Sequence, residues 1–159
     1  MTLPSLLYYE TKDQYYHHFV REYCGKSIIT SDGIRVYFSF NKFSHAFYES
    51  SNRDGVKDVF SHVRAQRMDW IKATLTSSQA KKYQGWDKKK GTYDPTSRVS
   101  FEYEEFVVVI QIKLKTNGDL KADFVTCYQA DNSISKIRCS PLWSLNTCRA
   151  VLEGKKKGR

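Results

Sequence analysis

The dipeptide Asn117-Gly118 separates two runs of residues that are typical of β-strands. Residues 106–115 read FVVVIQIKLK, and residues 120–129 read LKADFVTCYQ. An Asn-Gly pair between two such runs favours a two-residue type I′ turn, because both central residues of that turn need positive φ angles. The sequence therefore predicts a long antiparallel hairpin at the centre of the fold.

A two-residue turn also determines which side chains of the hairpin share a face, because paired residues lie on one face and successive residues alternate. The face predicted to join the core is apolar and carries Val108, Ile110, Ile112, Leu114, Val125 and Cys127. The opposite face is predicted to be basic and hydroxyl-bearing and carries Gln111, Lys113, Lys115, Phe124, Thr126 and Tyr128. A shift of one residue would exchange the faces of a strand, so this assignment depends on the type of turn.

Three other segments carry periodic patterns. Residues 11–24 are predicted to form a helix that Gly25 ends, and residues 34–40 alternate like a strand. Residues 56–75 place apolar side chains on one arc of a predicted helix. With the hairpin, these elements predict one α+β domain over residues 1–153, and residues 154–159, GKKKGR, are predicted to be a disordered basic tail.

Arg67 projects into the apolar arc of the predicted 56–75 helix, whereas Arg64 lies at the edge of that arc. A buried charge without a partner is very costly. We therefore expect Arg67 either to pair with a carboxylate or to face a ligand.

The chain has 159 residues and a formal net charge of +9. This excess of cations favours an anionic partner, most commonly a nucleic acid, and a merely soluble basic domain is the alternative. No segment reaches about eighteen consecutive apolar residues, and the N-terminus lacks the pattern of a signal peptide, so we expect a cytoplasmic protein without membrane contact. The four cysteines lack metal-ligand spacing, and neither a metal nor a cofactor is predicted.

Residues 76–97 show no periodicity and are predicted to form a long loop. Cations alternate there with an aromatic ring: Lys81, Lys82, Trp86, Lys88, Lys89 and Lys90. Cations bind phosphates and an indole ring stacks on a base, so this composition suits a single-stranded nucleic acid. A solvated loop anchored by Trp86 is the alternative.

Several of the remaining polar residues suit the cleavage of RNA without a metal. A histidine such as His45 can transfer a proton at the ribose 2′-hydroxyl or at the leaving 5′-oxygen. Cations can neutralise the charge that develops on the phosphate, and hydroxyl groups can bind its oxygens. The candidates for these roles are Arg64, Arg67, Lys113, Thr126 and Tyr128.

Four segments within residues 34–143 together resemble the barnase, EndoU, colicin and RelE-like ribonuclease superfamily, in particular its phage- and prophage-borne branches. The segments are HAFYE (45–49), RAQRMDWIKATL (64–75), RVSFEYEEFVVVI (98–110) and FVTCYQADNSI (124–134). Members are small metal-independent endoribonucleases, often toxins, in which helices pack on one face of an antiparallel sheet. The resemblance implies the same barnase-like fold for this chain.

The resemblance also implies roles for individual residues. His45 would be the acid or base, and Thr126 and Tyr128 would lie at the scissile phosphate, with Arg67 as a further catalytic cation. The residues expected to bind RNA are Arg64, Trp86, Lys88, Lys89, Arg98 and Lys113. The acidic general base of barnase has no clear counterpart in this sequence.

Two functions stay open from the sequence. The first is a toxin-like endoribonuclease that cleaves RNA by attack of the 2′-hydroxyl and leaves a 2′,3′-cyclic phosphate, with an antitoxin or immunity protein as a further partner. The second is a non-catalytic module on a nuclease-like fold that binds RNA or a protein.

Overall fold

A six-stranded β-sheet forms the centre of the computed structural model, which describes residues 2–52 and 54–157. The strands of the chain are β1 (Ile28–Ile29), β2 (Arg35–Tyr37), β3 (Tyr48–Glu49), β4 (Val59–Phe60), β5 (Lys81–Asp87), β6 (Thr92–Tyr103), β7 (Phe106–Leu114) and β8 (Leu120–Gln129). The large sheet has the order β1-β2-β8-β7-β6-β5, and β3 and β4 form a separate pair. All neighbours in the large sheet are antiparallel except β2 and β8, which run parallel.

The helices precede, interrupt and follow these strands: α1 (Lys12–Glu22), α2 (Phe43–Ala46), α3 (His62–Gln66), α4 (Met68–Thr76), α5 (Ile134–Arg138) and α6 (Leu145–Lys157). The predicted N-terminal helix is confirmed as α1. Thr11 begins it, because its side chain accepts a hydrogen bond from the Gln14 amide and the Gln14 side chain bonds back to the backbone of Thr11. Gly25 follows the helix with a φ of 72°, a left-handed conformation that suits glycine.

One face of the large sheet carries the main hydrophobic core, and we call it the core face. Helices α1, α2 and α4 pack against it through a cluster of fully buried side chains that includes Phe19, Phe47, Ile71, Phe101 and Ile110. The fold is therefore α+β with a mostly antiparallel sheet, as predicted. Helices α1, α2 and α4 lie on the core face, whereas α5 packs on the opposite face.

The β7–β8 hairpin is confirmed, but its turn differs from the prediction. The Gly118 amide donates to the Lys115 carbonyl at 3.1 Å, and the Lys115 amide donates to the Asp119 carbonyl at 2.8 Å, so residues 116–118 form the connection. Gly118 has a φ of 91°, whereas Asn117 has no positive φ. This is the geometry of a type I turn followed by a left-handed residue, which shifts the neighbouring pairs by one residue.

A β-bulge at Val125 restores the predicted pairing in the second half of the hairpin. Thr126 lies opposite Val109, and Tyr128 lies opposite Val107, as a two-residue turn would require. A bulge inserts one extra residue into one strand, so it cancels the shift introduced at the turn.

The shift at the turn moves Phe124 to the core face. Phe124 pairs with Ile110 rather than with Gln111, and its side chain is fully buried. Its predicted place on the polar face is therefore wrong, and so is the predicted place of Val125 on the core face, since Val125 packs with Val107 and Val109 on the opposite face. Thr126 and Tyr128 share a face with Gln111, as predicted.

Residues 56–75 do not form the single helix that their apolar arc predicts. Val59 lies in β4, which pairs with β3, and helix α3 begins after Ser61, whose hydroxyl accepts a hydrogen bond from the Arg64 amide at 3.3 Å. The helical path breaks at Arg67, where φ is −96° and ψ is 15°, before α4 begins. Val56, Val59 and Val63 are consequently exposed, because tertiary pairing and the serine cap outweigh the helical periodicity.

Residues 76–97 contain a β-hairpin, so the prediction of a long loop is wrong. Strands β5 and β6 pair here, and β6 also pairs with β7 over its second half. The Asp87 carboxylate stabilises the tight turn by accepting hydrogen bonds from the amides of Lys89 at 2.9 Å and Lys90 at 3.2 Å. Pairing with a neighbouring strand supplies the β-structure that the local sequence pattern does not indicate.

Two smaller differences concern the ends of elements. The strand predicted at residues 34–40 is limited to β2, since residues 40–42 turn into a short 3₁₀ helix. Residues 154–157 of the predicted disordered tail continue helix α6, and residues 158–159 of that tail lie outside the described residues. Over the described ranges, no helix combines the length and the apolar character needed to cross a membrane.

Candidate active site

The sheet face opposite the core is only partly covered. Helix α5 packs on one end of it, where Ile134 and Ile137 contact a small cluster that contains Val107 and Val109. We call the uncovered part the open face. Its side chains, all placed there by the register of β2, β6, β7 and β8, include Arg35, Tyr37, Arg98, Gln111, Lys113, Lys121 and Asp123.

Three adjoining cavities form one groove along this face. The aromatic cavity, about 400 Å³, lies between the β5–β6 hairpin and α5 and includes Trp86 and Tyr128. The central cavity, about 340 Å³, is lined by residues that include Trp86 and Arg98. The distal cavity, about 320 Å³, also includes Arg98 and extends to Lys113. Shared residues therefore join neighbouring cavities into a continuous surface.

Helix α2 carries His45 and holds it at the surface beside this groove. Phe43 and Ala46 of the same helix are buried in the core, so the helix is anchored by its apolar side while His45 stays exposed. Helix α2 is short, and its position comes from these two contacts rather than from its own stability.

Partial burial lowers the pKa of His45 below its usual value, and the nearby cations Lys57, Lys42, Arg98 and Arg64 lower it further. These charges disfavour the protonated imidazolium. The imidazole of His45 is therefore neutral at neutral pH, which suits a proton acceptor. The effect of Arg64 and Arg98 also shows that the chain brings these predicted residues close to His45.

Arg64 links His45 to strand β8. Its Nη1 atom donates to the carbonyl of Ala46 at 3.4 Å, and its Nε lies 3.4 Å from Oε1 of Glu49. The same guanidinium lies near Tyr128, since it acts to lower the pKa of that phenol. The charge of Arg64 thus acts on the pKa of His45 and on that of Tyr128.

Burial raises the pKa of Tyr128, and Arg64 offsets only part of this effect. The phenol therefore stays protonated and can donate a hydrogen bond to a phosphate oxygen. Thr126 lies two residues earlier on the same face, half-buried and opposite Val109. Burial raises the pKa of the intervening Cys127 thiol to about 12, so this cysteine does not act as a thiolate nucleophile.

Arg98 reaches the groove across a glycine. A Cβ atom on Gly85 would overlap the Cγ of Arg98 and would lie 2.7 Å from its Cβ, so only glycine leaves room for the stem of Arg98. The pairing of β5 with β6 is interrupted here, since Gln84 faces Val99 but Gly85 faces Asp94. Residues 95–98 bulge out between these two pairs, and Arg98 ends the bulge.

Asp94 holds this bulge in shape. Its Oδ1 atom accepts hydrogen bonds from the amide and hydroxyl of Thr96, both at 2.8 Å, and from the amide of Ser97, while its Oδ2 accepts one from the Ser97 hydroxyl. Burial raises the pKa of Asp94, but these hydrogen bonds outweigh it and bring the pKa from 3.8 down to about 2. Asp94 is therefore ionised, and its bonds fix the backbone that carries Arg98.

The RNA-binding residues predicted within residues 76–97 also lie in the groove. Lys88 and Lys89 line the central cavity at the tip of the β5–β6 hairpin. Trp86 is 50% exposed and makes a T-shaped contact with Tyr93, with ring centroids 5.1 Å apart. Lys113 lines the distal cavity, where its ammonium lies 2.8 Å from the carboxylate of Asp123.

Arg67 takes neither of the roles predicted for it. Its Nη1 donates to the carbonyl of Val63 at 2.8 Å, and its guanidinium lies over the ring of Trp70 at 5.0 Å. Its buried Nε has no hydrogen-bond partner among the described residues. Because the helix breaks at this position, these contacts join α3 to α4 and include neither a carboxylate nor a residue that lines the groove, which favours a structural role for Arg67 over the predicted catalytic one.

The sequence did not indicate several neighbours of the site. Glu49 ends the segment HAFYE (45–49), but its contact with Arg64 depends on the pairing of β3 with β4. Lys42, at the end of the short 3₁₀ helix, and Lys57, in the loop between β3 and β4, act on His45, and neither belongs to a motif. A second basic and aromatic cluster lies at the end of the groove, where Arg35 and Lys121 approach the Tyr37 ring at 4.7 and 5.8 Å.

Within the described residues, no group of three or more histidine, cysteine, aspartate or glutamate side chains is arranged to hold a metal ion. Comparison of the chain with protein-family models, with curated proteins and with solved structures finds no match.

Proposed function

We propose that this protein is an endoribonuclease that cleaves RNA by attack of a ribose 2′-hydroxyl on the adjacent phosphate. The single observation that carries this proposal is that Arg64 acts electrostatically on both His45 and Tyr128. Arg64 thus links a neutral imidazole and a protonated phenol at the edge of a basic groove. These three groups are the ones that transfer of a phosphoryl group within RNA requires.

In the proposed reaction, His45 accepts the proton of the 2′-hydroxyl, and the 2′-oxygen forms a bond to phosphorus. The bond from phosphorus to the 5′-oxygen breaks, and the departing oxygen takes up a proton from water at the open face. The products are a 2′,3′-cyclic phosphate and a 5′-hydroxyl. His45 then returns its proton to solvent.

Arg64 and Arg98 stabilise the charge that develops on the phosphate in this proposal. Both cations lower the pKa of His45, so their positive charge acts at the place where His45 would serve a phosphate. Tyr128 donates a hydrogen bond to a phosphate oxygen, and Thr126 lies beside it on the same strand face. Preorganised donors of this kind stabilise a transition state because they need no reorientation during the reaction.

In this proposal, the cations of the groove bind phosphates along the RNA chain. Lys88, Lys89 and Lys113 extend the positive charge on either side of Arg98, and phosphates bind such cations largely by releasing counterions. The resemblance to the barnase, EndoU, colicin and RelE-like ribonucleases supports a toxin-like, phage- or prophage-associated enzyme that acts in the cytoplasm. It also supports an antitoxin or immunity protein as a partner.

The proposal is tested by incubating total cellular RNA with purified protein in EDTA. Wild-type protein is expected to degrade the RNA, and His45→Ala is expected to be slower by roughly a hundredfold to ten-thousandfold, as is typical when a proton-transfer group is lost. Tyr128→Phe removes only the phenolic hydroxyl and is expected to lower the rate by a smaller factor.

His17→Ala is the matched control for the loss of an imidazole. His17 is an exposed residue of α1, the helix that packs on the core face, so this variant is expected to cleave like the wild type. Cleavage by His45→Ala at the wild-type rate would remove His45 from the mechanism. Binding of RNA without cleavage by the wild-type protein would favour a non-catalytic RNA-binding module.

A further inference from the structure

The aromatic cavity lies next to the proposed catalytic residues, but the reaction proposed above does not use it. Tyr128 belongs to both, and on its other side the cavity is bounded by Trp86, Tyr93 and Tyr83. Its volume of about 400 Å³ falls within the range of about 300–1,000 Å³ that is typical of pockets for small organic ligands. The cavity can therefore receive a flat ring at the point where the groove meets the catalytic group.

The indole ring of Trp86, at the mouth of this cavity, is only partly covered by other side chains and can stack on a ligand. Its contact with Tyr93 leaves half of its side chain accessible to solvent. Exposing half of an indole costs apolar burial, and a stacked base would recover it. Trp86 also lines the central cavity together with Lys88 and Lys89, so an RNA chain could place a base in the aromatic cavity and its phosphate in the central one.

Helix α5 closes the cavity and is fixed in two ways. Ile134 and Ile137 pack on the small apolar cluster of β7, and Arg138 forms an ion pair with the buried Glu102 of β6, with Nε and Oε1 at 2.9 Å. The wall is therefore formed before any ligand binds.

Polar groups surround the rings. Ser133, Lys136 and Ser140 of the α5 segment and Ser100 of β6 line the cavity with hydroxyls and an ammonium. Such groups can form hydrogen bonds with the edge of a nucleobase, while the rings accept its face.

We propose that the aromatic cavity binds one unpaired nucleobase of the RNA, next to the phosphate that is cleaved. This inference rests on the proposed function, which supplies RNA as the substrate, and it adds that the RNA is single-stranded. A base must leave its helical stack to enter the cavity, so the protein acts on single-stranded RNA in preference to duplex RNA.

The test measures binding separately from cleavage. The probe is a short single-stranded 2′-O-methyl RNA, which lacks the attacking hydroxyl, and a matched probe has the same phosphates but no bases. Wild-type protein is expected to bind the intact probe roughly 10- to 100-fold more tightly than the abasic one, the usual range for base stacking on an aromatic side chain. An intact duplex of the same sequence is expected to bind more weakly than the single strand.

Trp86→Ala is expected to lose the preference for the intact probe, whereas Trp86→Phe keeps a ring and should keep much of the preference. Lys113→Gln in the distal cavity is the control, because it should weaken both probes equally. An equal affinity of wild-type protein for intact and abasic probes would overturn the inference, as would a preference that survives in Trp86→Ala.

Failure of the proposed function gives a different result. If no form of the protein cleaves RNA but Trp86 still controls the preference for intact over abasic probes, the base-binding cavity stands and the endoribonuclease proposal fails. If the protein cleaves RNA but shows no preference for bases, the catalytic proposal stands and the cavity has no role in base binding.

Discussion

The Nε atom of Arg64 lies 3.4 Å from Oε1 of Glu49, and this contact turns the guanidinium towards the segment that carries His45. Arg67 lies one turn later but points to the carbonyl of Val63 and the ring of Trp70. Two arginines of one short segment therefore have separate roles. Arg64 belongs to the candidate active site, and Arg67 stabilises the junction between α3 and α4.

These separate roles predict that the two alanine variants differ in the rate of RNA cleavage per folded molecule. Arg64→Ala is expected to lower the rate of RNA cleavage by roughly 10²- to 10³-fold, the range found when a group that stabilises transition-state charge is removed. Arg67→Ala is expected to lower the free energy of unfolding by about 1–2 kcal/mol, because it removes a hydrogen bond and a cation–π contact.

Cleavage rates and urea unfolding curves of both variants provide the measurement. Arg67→Ala should retain the wild-type rate per folded molecule. Arg64→Ala should lose that rate, and it should also lose some stability because its hydrogen bond to Ala46 and its ion pair with Glu49 are removed. A large loss of cleavage in Arg67→Ala with unchanged stability would show that the structural assignment of Arg67 is incorrect.

The lowered pKa of His45 predicts the pH dependence of cleavage. A base must be unprotonated, so kcat/KM should fall as the pH drops through the pKa of His45 in the free protein. Burial and the nearby cations lower this pKa from 6.5, so the midpoint of the fall should lie below that pH. A pH profile of kcat/KM on a short RNA measures its midpoint.

Among the nearby cations, Lys57 lowers the pKa of His45 the most, and its side chain is exposed. Lys57→Gln removes a positive charge and should move the midpoint of the profile to higher pH. Lys26→Gln removes an equal charge at the end of α1 and should leave the midpoint in place. A midpoint that shifts equally in both variants would point to net charge rather than to the local site.

Asp94 predicts an effect of acid on stability. Its folded-state pKa of about 2 lies below its usual 3.8, so its contribution is present above pH 3.8 and is lost as the pH falls through about 2. Asp94→Asn should lower the free energy of unfolding at neutral pH by roughly 1–2 kcal/mol, since water screens part of the interaction. The difference from wild type should shrink towards pH 2, which urea unfolding at several pH values measures; a difference that stays constant would contradict this role.

The hairpin shows how far the sequence determines the fold. Asn117-Gly118 and the β-branched runs were sufficient to locate β7 and β8, because turn chemistry and strand preference act locally. They did not distinguish a two-residue loop from the loop observed, since glycine supplies the positive φ in both. The bulge at Val125 depends on packing across the sheet, and it returned Thr126 and Tyr128 to their predicted face.

The helix and loop predictions failed for a related reason. Val59 and Val63 fit a helical arc, but the chain uses Val59 in a strand pair that also positions Glu49. Residues 81–87 carry no periodic pattern, yet β6 provides an edge on which they form β5, and Lys88 and Lys89 lie in the turn that follows. Residues such as His45 and Arg98 could be proposed from their chemistry, whereas the contact partners that give them a role came only from tertiary structure.

The groove also predicts a strong dependence of RNA affinity on salt. Lys88 and Lys89 line the central cavity, and each phosphate contact contributes roughly 0.7 to the slope of log affinity against log salt for a single strand. The double variant Lys88→Gln/Lys89→Gln should reduce that slope by roughly 1 to 1.5. Lys12→Gln/Lys26→Gln, with the same loss of charge near α1, should change it less. Fluorescence titration with a labelled RNA at several salt concentrations measures the slope, and an affinity that does not change with salt would exclude phosphate binding in the groove.

The most direct test of the account uses a defined RNA strand and the same strand with a 2′-deoxyribose on the 5′ side of its cleavage site. The account predicts that, in EDTA, the protein cleaves the first strand to a 2′,3′-cyclic phosphate and a 5′-hydroxyl and leaves the second strand intact at that position. Cleavage of the deoxy-substituted strand, or products that carry a 5′-phosphate, would contradict attack by the 2′-hydroxyl and with it the role proposed for His45.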